Sequence, residues 1–419
     1  MTTDTGFAKR FLWGAATSAH QVEGKATNQW TRWELENASS LAEQSKYHYA
    51  DFEHWSNFKA AASNPNNYVS GRTANHYENY STDFDLLEQM NMNAYRFSIE
   101  WSRVQPKEGA WDVEAVTHYR DYIADLKSRG IEPIVTLFHF TLPDWFADKG
   151  GFEKYSNIRY FIDFAERIMT EVGKGVKYVV TINEPDVYAE AGYRNGDWPP
   201  AVSSRWRFYR VAMNLMLTHQ RTYRALKRVN GRLKIGLAKN SVNYYPGDNA
   251  WLSRVSAGWM QWLQDDRYLI PVVRRMDFMG LNYYQSARVY GYRVHNPETA
   301  DKSDVDWTLT PGDIEYVLQR WYSKYKKPIL ITENGLADAD DSRRQEWLQA
   351  TIRGMRNAIK DGVELIGYLH WSLIDNFEWA YGKWPRFGLT SINYATGERT
   401  LRPSARWFGR VIKKLRGLD

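Results

Sequence analysis

Eight short apolar runs recur along the chain: Phe11–Ser18, Ala94–Ile99, Pro133–His139, Tyr178–Asn183, Ile235–Ser241, Asp277–Tyr283, Pro328–Glu333 and Leu365–Trp371. They are continuously apolar rather than alternating, the pattern of strands buried on both faces of a parallel sheet. Longer stretches with helical spacing separate them: Thr82–Met92, Val113–Arg129, Ile158–Val172, Trp206–Val229, Asp313–Tyr325 and Arg343–Asp361. Eight strand–helix units with no run of hairpin signals predict an α/β fold, a single (β/α)8 TIM barrel over residues 1–419. The rival, a doubly wound sheet, normally carries a Gly-rich phosphate turn after its first strand, and "GAATSAHQVEG" is not G-x-G-x-x-G. Ser39–Tyr80, polar and rich in Asn and Ser, is expected to be a long loop over one mouth of the barrel.

Composition narrows the chemistry. The chain has 0 Cys, which excludes disulfides and thiolate metal sites. Its N-terminus lacks a basic segment followed by an apolar one, and no apolar run approaches the ~18–20 residues of a membrane span. A cytoplasmic location without membrane attachment is expected. The net charge of +6 comes from scattered residues. The densest basic cluster, Arg410 to Arg416, reads as the solvated face of an amphipathic helix, so a nucleic-acid partner is not expected. The anomaly is aromatic content, 15% with 19 Trp. Such rings fill cores, and their flat faces also suit the C–H faces of sugars.

In a barrel the reactive groups sit where strands exit at the C-terminal face. Those exits are unusually polar here. His20, Gln21 and Glu23 follow the first strand, Arg96 lies in the second, and His139 ends the third. Asn183 and Glu184 end the fourth, Asn282, Tyr283 and Tyr284 the sixth, and Glu333 and Asn334 the seventh. Trp371 ends the eighth, followed by Glu378, Trp379 and Phe387. Taken alone, Gln21 or His139 reads equally well as a satisfied core group, and Glu184 or Glu333 as a helix cap. Together they converge on one mouth, where such a ring is costly unless it meets a polyhydroxylated ligand. Two carboxylates over that ring are the equipment of glycoside hydrolysis: one protonated to serve the leaving oxygen, one ionised. An Arg beside one carboxylate keeps it ionised, and Arg96 is the candidate. No H-E-x-x-H pair, calcium loop or G-x-S-x-G elbow competes, so no metal and no cofactor is expected.

The segments "FLWGAATSAHQVEG", "YRFSIEWSRVQP", "TLFHFTLPDW", "TINEP", "GLNYY", "ITENG" and "WSLIDNFEWAYGKWPRFGL" resemble those of glycoside hydrolase family 1, in family order from about Phe11 to Phe408. The resemblance implies a retaining, exo-acting β-glycosidase that removes a terminal β-glucosyl, galactosyl or fucosyl residue from small glycosides and short oligosaccharides. Its implied roles are Glu184 as acid/base and Glu333 as nucleophile, with Arg96, Tyr284 and Asn282 supporting the nucleophile. Gln21, His139, Asn183, Glu378, Trp379 and Phe387 are implied to hold the glycone over Trp371, and Trp307 to contact the aglycone. Retention requires carboxylates ~5–5.5 Å apart, against ~6.5–9.5 Å for inversion. Asn183 and Glu184 are expected on an extended backbone that points them at different parts of one sugar, with Pro185 fixing the exit.

The chain departs from the family pattern at Asn75-His76-Tyr77, expected in a loop, at Phe140 after His139, and at Lys383. The connections from Asn240 to Asn282 and after Gly335 are short, which leaves aglycone preference open. The alternatives are a 6-phospho-β-glycosidase, against which Glu378 stands while Lys383 and Arg386 leave room, and a sugar-binding barrel without turnover. The oligomeric state is not read from the sequence.

Overall fold

The computed structural model describes residues 6–418. Its centre is a closed barrel of eight parallel strands paired in chain order. These are β1 (Leu12–Ala16), β2 (Ala94–Ser98), β3 (Glu132–Thr136), β4 (Tyr178–Asn183), β5 (Lys234–Asn240), β6 (Met279–Asn282), β7 (Ile329–Asn334) and β8 (Leu365–Trp371). The predicted barrel is therefore observed, each apolar run supplying one strand to within two residues at either end, save β3, which stops at Thr136, three residues short of His139.

Two apolar layers hold it. One lies between the strands and the surrounding helices; the other fills the barrel with Leu12, Ile134, Val180, Leu330, Leu369 and their neighbours. Amphipathic helices cover the outside as predicted, among them Val113–Ser128, Ile158–Val172, Arg205–Val229, Ile314–Tyr325 and Arg344–Lys360. Asp112 and Ser204 cap two of these, accepting from Ala115 N and Arg207 N. The basic C-terminal cluster lies on the helix Pro403–Arg416, whose other face buries Phe408, Ile412 and Leu415.

The Ser39–Tyr80 expectation is overturned. The helix Gln29–His48 runs through the start of this segment, Trp55–Ala62 forms another, and His76–Gln89 begins before its end. The buried positions of the first are Trp30, Glu34, Ala38, Ala42 and Ser45. That i, i+4 stripe is helical in spacing but only weakly apolar. Glu34 belongs to it because its carboxylate is satisfied by His20 at 2.6 Å and by Ser70 N and Oγ at 2.8 Å. His76, expected in a loop, opens a helix and is clamped between Asp83 and Tyr122 at 2.7 Å each. Two small accessory sheets also went unpredicted: Asn243–Pro246 with Ser286–Tyr290 and Arg293–Val294, and Thr390–Ile392 with Arg399–Leu401.

The barrel closes tightly at Gly14 of β1. A Cβ there would sit 2.0 Å from the carbonyl oxygen of Ala94 on β2. Gly14→Ala should therefore destabilise the fold by roughly 3 kcal/mol. A denaturant midpoint equal to the parent's would show that the strands part at no cost.

Candidate active site

Backbone irregularities lie where the reactive side chains leave the sheet. The β4–β5 register shifts between Val180 and Asn183, and β7 shifts against both neighbours between Ile331 and Glu333 or Asn334. Such shifts re-aim side chains at a barrel rim. The extended path expected through Glu184 is not observed. Its φ of 42° and ψ of 65° are left-handed, and it caps the short helix Pro185–Ala189. Asn183 N still reaches Phe138 O at 2.9 Å, and Glu184 N reaches Ala238 O at 2.8 Å. The chain thus turns within one residue, strand behind it and helix ahead.

The strand ends enclose a cavity of about 140 Å³. Ten of the sequence-predicted residues line it: His139, Asn183, Glu184, Tyr284, Trp307, Glu333, Trp371, Glu378, Trp379 and Phe387. Arg96, Asn282 and Gln21, each fully buried, stand behind them. His20 and Glu23 are elsewhere: His20 pairs with Glu34, and Glu23 holds Arg103 and Tyr119 at 2.7 Å.

The two carboxylates have different surroundings. Glu333 accepts from Arg96 Nη1 at 2.6 Å and from the Tyr284 hydroxyl at 2.8 Å. Glu184 has no cation of its own and accepts from Asn282 Nδ2 at 2.8 Å. Burial raises the pKa of both. Arg96, Tyr284 and Asn282 pull Glu333 back down, whereas the charge of Glu333 pushes Glu184 further up, well above the ordinary carboxylate range. Asn282, expected beside Glu333, thus donates to Glu184 and also lowers the pKa of Glu333.

The remaining polar groups are oriented from behind. Asn183 Oδ1 accepts from Arg96 Nη2 at 2.7 Å, and its amide faces His139 Nε2 at 3.3 Å. With Nε2 accepting, His139 carries its proton on Nδ1, which is buried with no partner in the protein. Burial and Arg96 hold this imidazole well below its usual pKa, hence neutral. Gln21 is held by Ser18, Asn376 and Phe377 O, and donates to Glu378 Oε2 at 3.3 Å. Burial and Glu333 push Glu378 up to about 8. Tyr284, Trp307 and Phe387 form one aromatic wall, with ring centroids 5.2 to 6.2 Å apart. Trp371 and Trp379 stack near His139 on the other side.

Phe140, Val187, Trp198, Asn240 and Tyr381 also line the cavity. Asn240 ends β5 and was open to the same strand-end reasoning; Trp198 comes from a loop and Tyr381 from the single helical turn Trp379–Tyr381, too short for a periodicity to report. A second omission is the buried ion pair of Lys239 on β5 with Asp186 in the helix after Glu184, 2.7 Å apart. Asp186 adds negative potential at Glu184 and Lys239 opposes it.

A barrel with paired carboxylates in an aromatic, amide-rich mouth defines a glycoside hydrolase. The profile of glycosyl hydrolase family 1 matches residues 3–274 and 257–416, and the chain belongs to that family. It is 30% identical to β-glucosidase A of Acetivibrio thermocellus, over 97% of this chain and 98% of the relative. That alignment spans 463 positions against 419 residues here, so at least 44 face gaps in this chain. The β-glycosidase of Pyrococcus horikoshii superposes with a TM-score of 0.86 at 33% identity, covering 98% of this chain and 95% of that one. The β-glucosidase of Thermotoga maritima in complex with glucoimidazole superposes at 0.85 and 26% identity, covering 98% and 99%. The protein is a β-glucosidase-like glycoside hydrolase. No described helix is long and apolar enough to cross a membrane.

The Asp186–Lys239 pair has a sign-specific consequence. Asp186→Asn removes a negative charge and leaves Lys239, which lowers the pKa of Glu184; the alkaline limb of activity against pH should move to lower pH. Lys239→Met should move it to higher pH. Shifts of the same sign in both variants would show that the pair does not act through Glu184.

Proposed function

We propose that the protein is a retaining, exo-acting β-glycosidase that cleaves a terminal β-glucosyl or closely related residue by double displacement. The asymmetry around the two carboxylates carries this reading. Glu333, held by Arg96 and Tyr284, is ionised and fixed for attack on the anomeric carbon. Glu184, without a cation and under the field of Glu333, holds a proton for the leaving oxygen. Once the glycosyl–enzyme ester forms, the charge on Glu333 is gone. The pKa of Glu184 then falls, and its carboxylate accepts a proton from the attacking water. The charge of Glu333 is felt at Glu184 and Asn282 lowers the pKa of both, which is in keeping with the close spacing of retention.

Asn183 offers its amide to the sugar 2-hydroxyl, where a bond that strengthens in the transition state contributes most. His139 Nδ1, Glu378 and Trp379 serve the outer hydroxyls, with Gln21 holding Glu378 in place. Trp371 lies beneath the ring, and Trp307 meets the leaving group. A glycone phosphate would face Glu378, while the cations that left a phospho-sugar open are engaged elsewhere. Arg386 pairs with Asp375 at 3.4 Å, and Lys383 lies over the Tyr394 ring. That a glucoimidazole complex is known for the Thermotoga maritima relative supports glucose as the first glycone to test.

Glu333→Ala should lose at least ~10⁴-fold in kcat on 4-nitrophenyl β-glucoside. Azide should restore release as an α-glycosyl azide; a β-adduct would reassign the nucleophile. Glu184→Gln should lose roughly 10²–10⁴-fold on substrates with basic leaving groups and far less on nitrophenyl ones. Equal losses on both would remove its acid role. Activity should fall below the pKa of Glu333 and above that of Glu184, read as macroscopic values of the pair, and a flat profile between pH 4 and 9 would contradict the assignment.

A further inference from the structure

Away from the cavity, one outer face is apolar where a solvated surface is normally charged. The helix Trp251–Gln261 continues through a wider turn, Trp262–Asp266, into Arg267–Val272. Its inner side buries Ser253, Ala257 and Gln261. Its outer side presents Trp251, Val255, Trp259 and Trp262, exposed by 71, 48, 58 and 39%. The spacing of four, four and three residues makes them a single stripe, and Trp259 and Trp262 stack with centroids 5.2 Å apart. A second stripe, Trp206, Tyr209 and Met213, exposed by 44 to 74%, lies on the helix Arg205–Val229, which packs against the last segment, Arg267–Val272. Arg267 joins the two helices, its guanidinium over the rings of Phe208 and Tyr209.

The charges on this face are one-sided. From Asn249 to Met276 there is no Lys and no Glu, and the cations are Arg254, Arg267, Arg274 and Arg275. The only carboxylates there, Asp265 and Asp266, are buried and held by Arg320 and Lys324. Exposed Trp, Tyr, Met and Arg, with no exposed Lys, Glu or Asp between Asn249 and Met276, is the composition of a protein–protein interface core. Four exposed Trp residues on elements that pack through Arg267 mark an interaction surface rather than ordinary exposure.

We propose that this face binds a second copy of the same chain about a two-fold axis, stripe against stripe. At up to ~250 Å² per indole, the exposed fractions of the four Trp residues alone offer roughly 600 Å². A stable pair needs ~800 Å² per partner, which Tyr209, Met213, Leu252, Val255 and Ile270 complete. Guanidinium groups stack on indole faces, so Arg254 and Arg267 of each protomer find partners in the opposing rings without any acid. None of these residues lines the active-site cavity, so the interface leaves it open.

The full chain is tested by sedimentation velocity at 1–50 μM. The parent should run at twice the chain mass. Trp259→Glu combined with Trp262→Glu should weaken association at least 100-fold while nitrophenyl-glucoside turnover per chain is retained, which also shows that the variant folds. A positive test uses the lack of Cys in the chain. Val255→Cys should oxidise to a covalent dimer at low concentration, whereas Tyr47→Cys, 73% exposed on another helix, should not. A monomeric parent at 50 μM overturns the proposal. So does a dimer indifferent to both Trp substitutions, or a monomer that floats with phosphatidylglycerol vesicles through the same Trp residues.

Discussion

A buried guanidinium organises the mouth of this barrel. Arg96, on β2 and fully enclosed, donates to Thr136 on β3 at 3.0 Å, to Asn183 on β4 at 2.7 Å, and to Glu333 and the carbonyl of Thr332 on β7 at 2.6 and 3.1 Å. Four strands are thereby tied at one point. An unpaired cation there would carry a desolvation cost of several kcal/mol, so its partners are fixed by the same interactions that hold the barrel end together. The positions of Glu333 and Asn183 follow from where this one side chain lies, and its charge adds to burial in keeping His139 neutral. Fold and chemistry share an ion pair.

The rest of the site is arranged to keep its two carboxylates different. Both are buried, so both resist ionisation, and the distribution of donors and of neighbouring charges separates them. The Thr332 hydroxyl holds Asn282 Oδ1 at 2.6 Å and so orients the Asn282 amide toward Glu184. Lys239 and Asp186 form a pair of no net charge near Glu184, an element of tuning that acts through field rather than contact.

Strand positions were legible because burial on both faces leaves an uninterrupted apolar signature, and all eight runs became barrel strands. The polar exits were legible for the same reason: a polar residue stands out after five apolar ones. What escaped was held by other rules. The helix Gln29–His48 hides its inward face among Ala, Ser and Glu, so no hydrophobic period reveals it. The left-handed turn at Glu184 depends on a register shift between strands far apart in sequence. Lys239 sits in an apolar strand and reads as an outward-facing residue until Asp186, 53 positions earlier, is placed against it. Trp198 reaches the cavity from irregular backbone and Tyr381 from a single helical turn. Single-chain periodicity reports what a segment does alone, and these residues are defined by what they meet.

The backbone at Glu184 has a further implication. A side chain with a Cβ is uncomfortable in the left-handed region, and Gly or Asn is the residue that rests there easily. Under the proposed role of Glu184 as proton donor, the residue most at ease in this turn is one that could not serve the reaction, so the backbone preference of the position and its proposed chemistry pull in opposite directions.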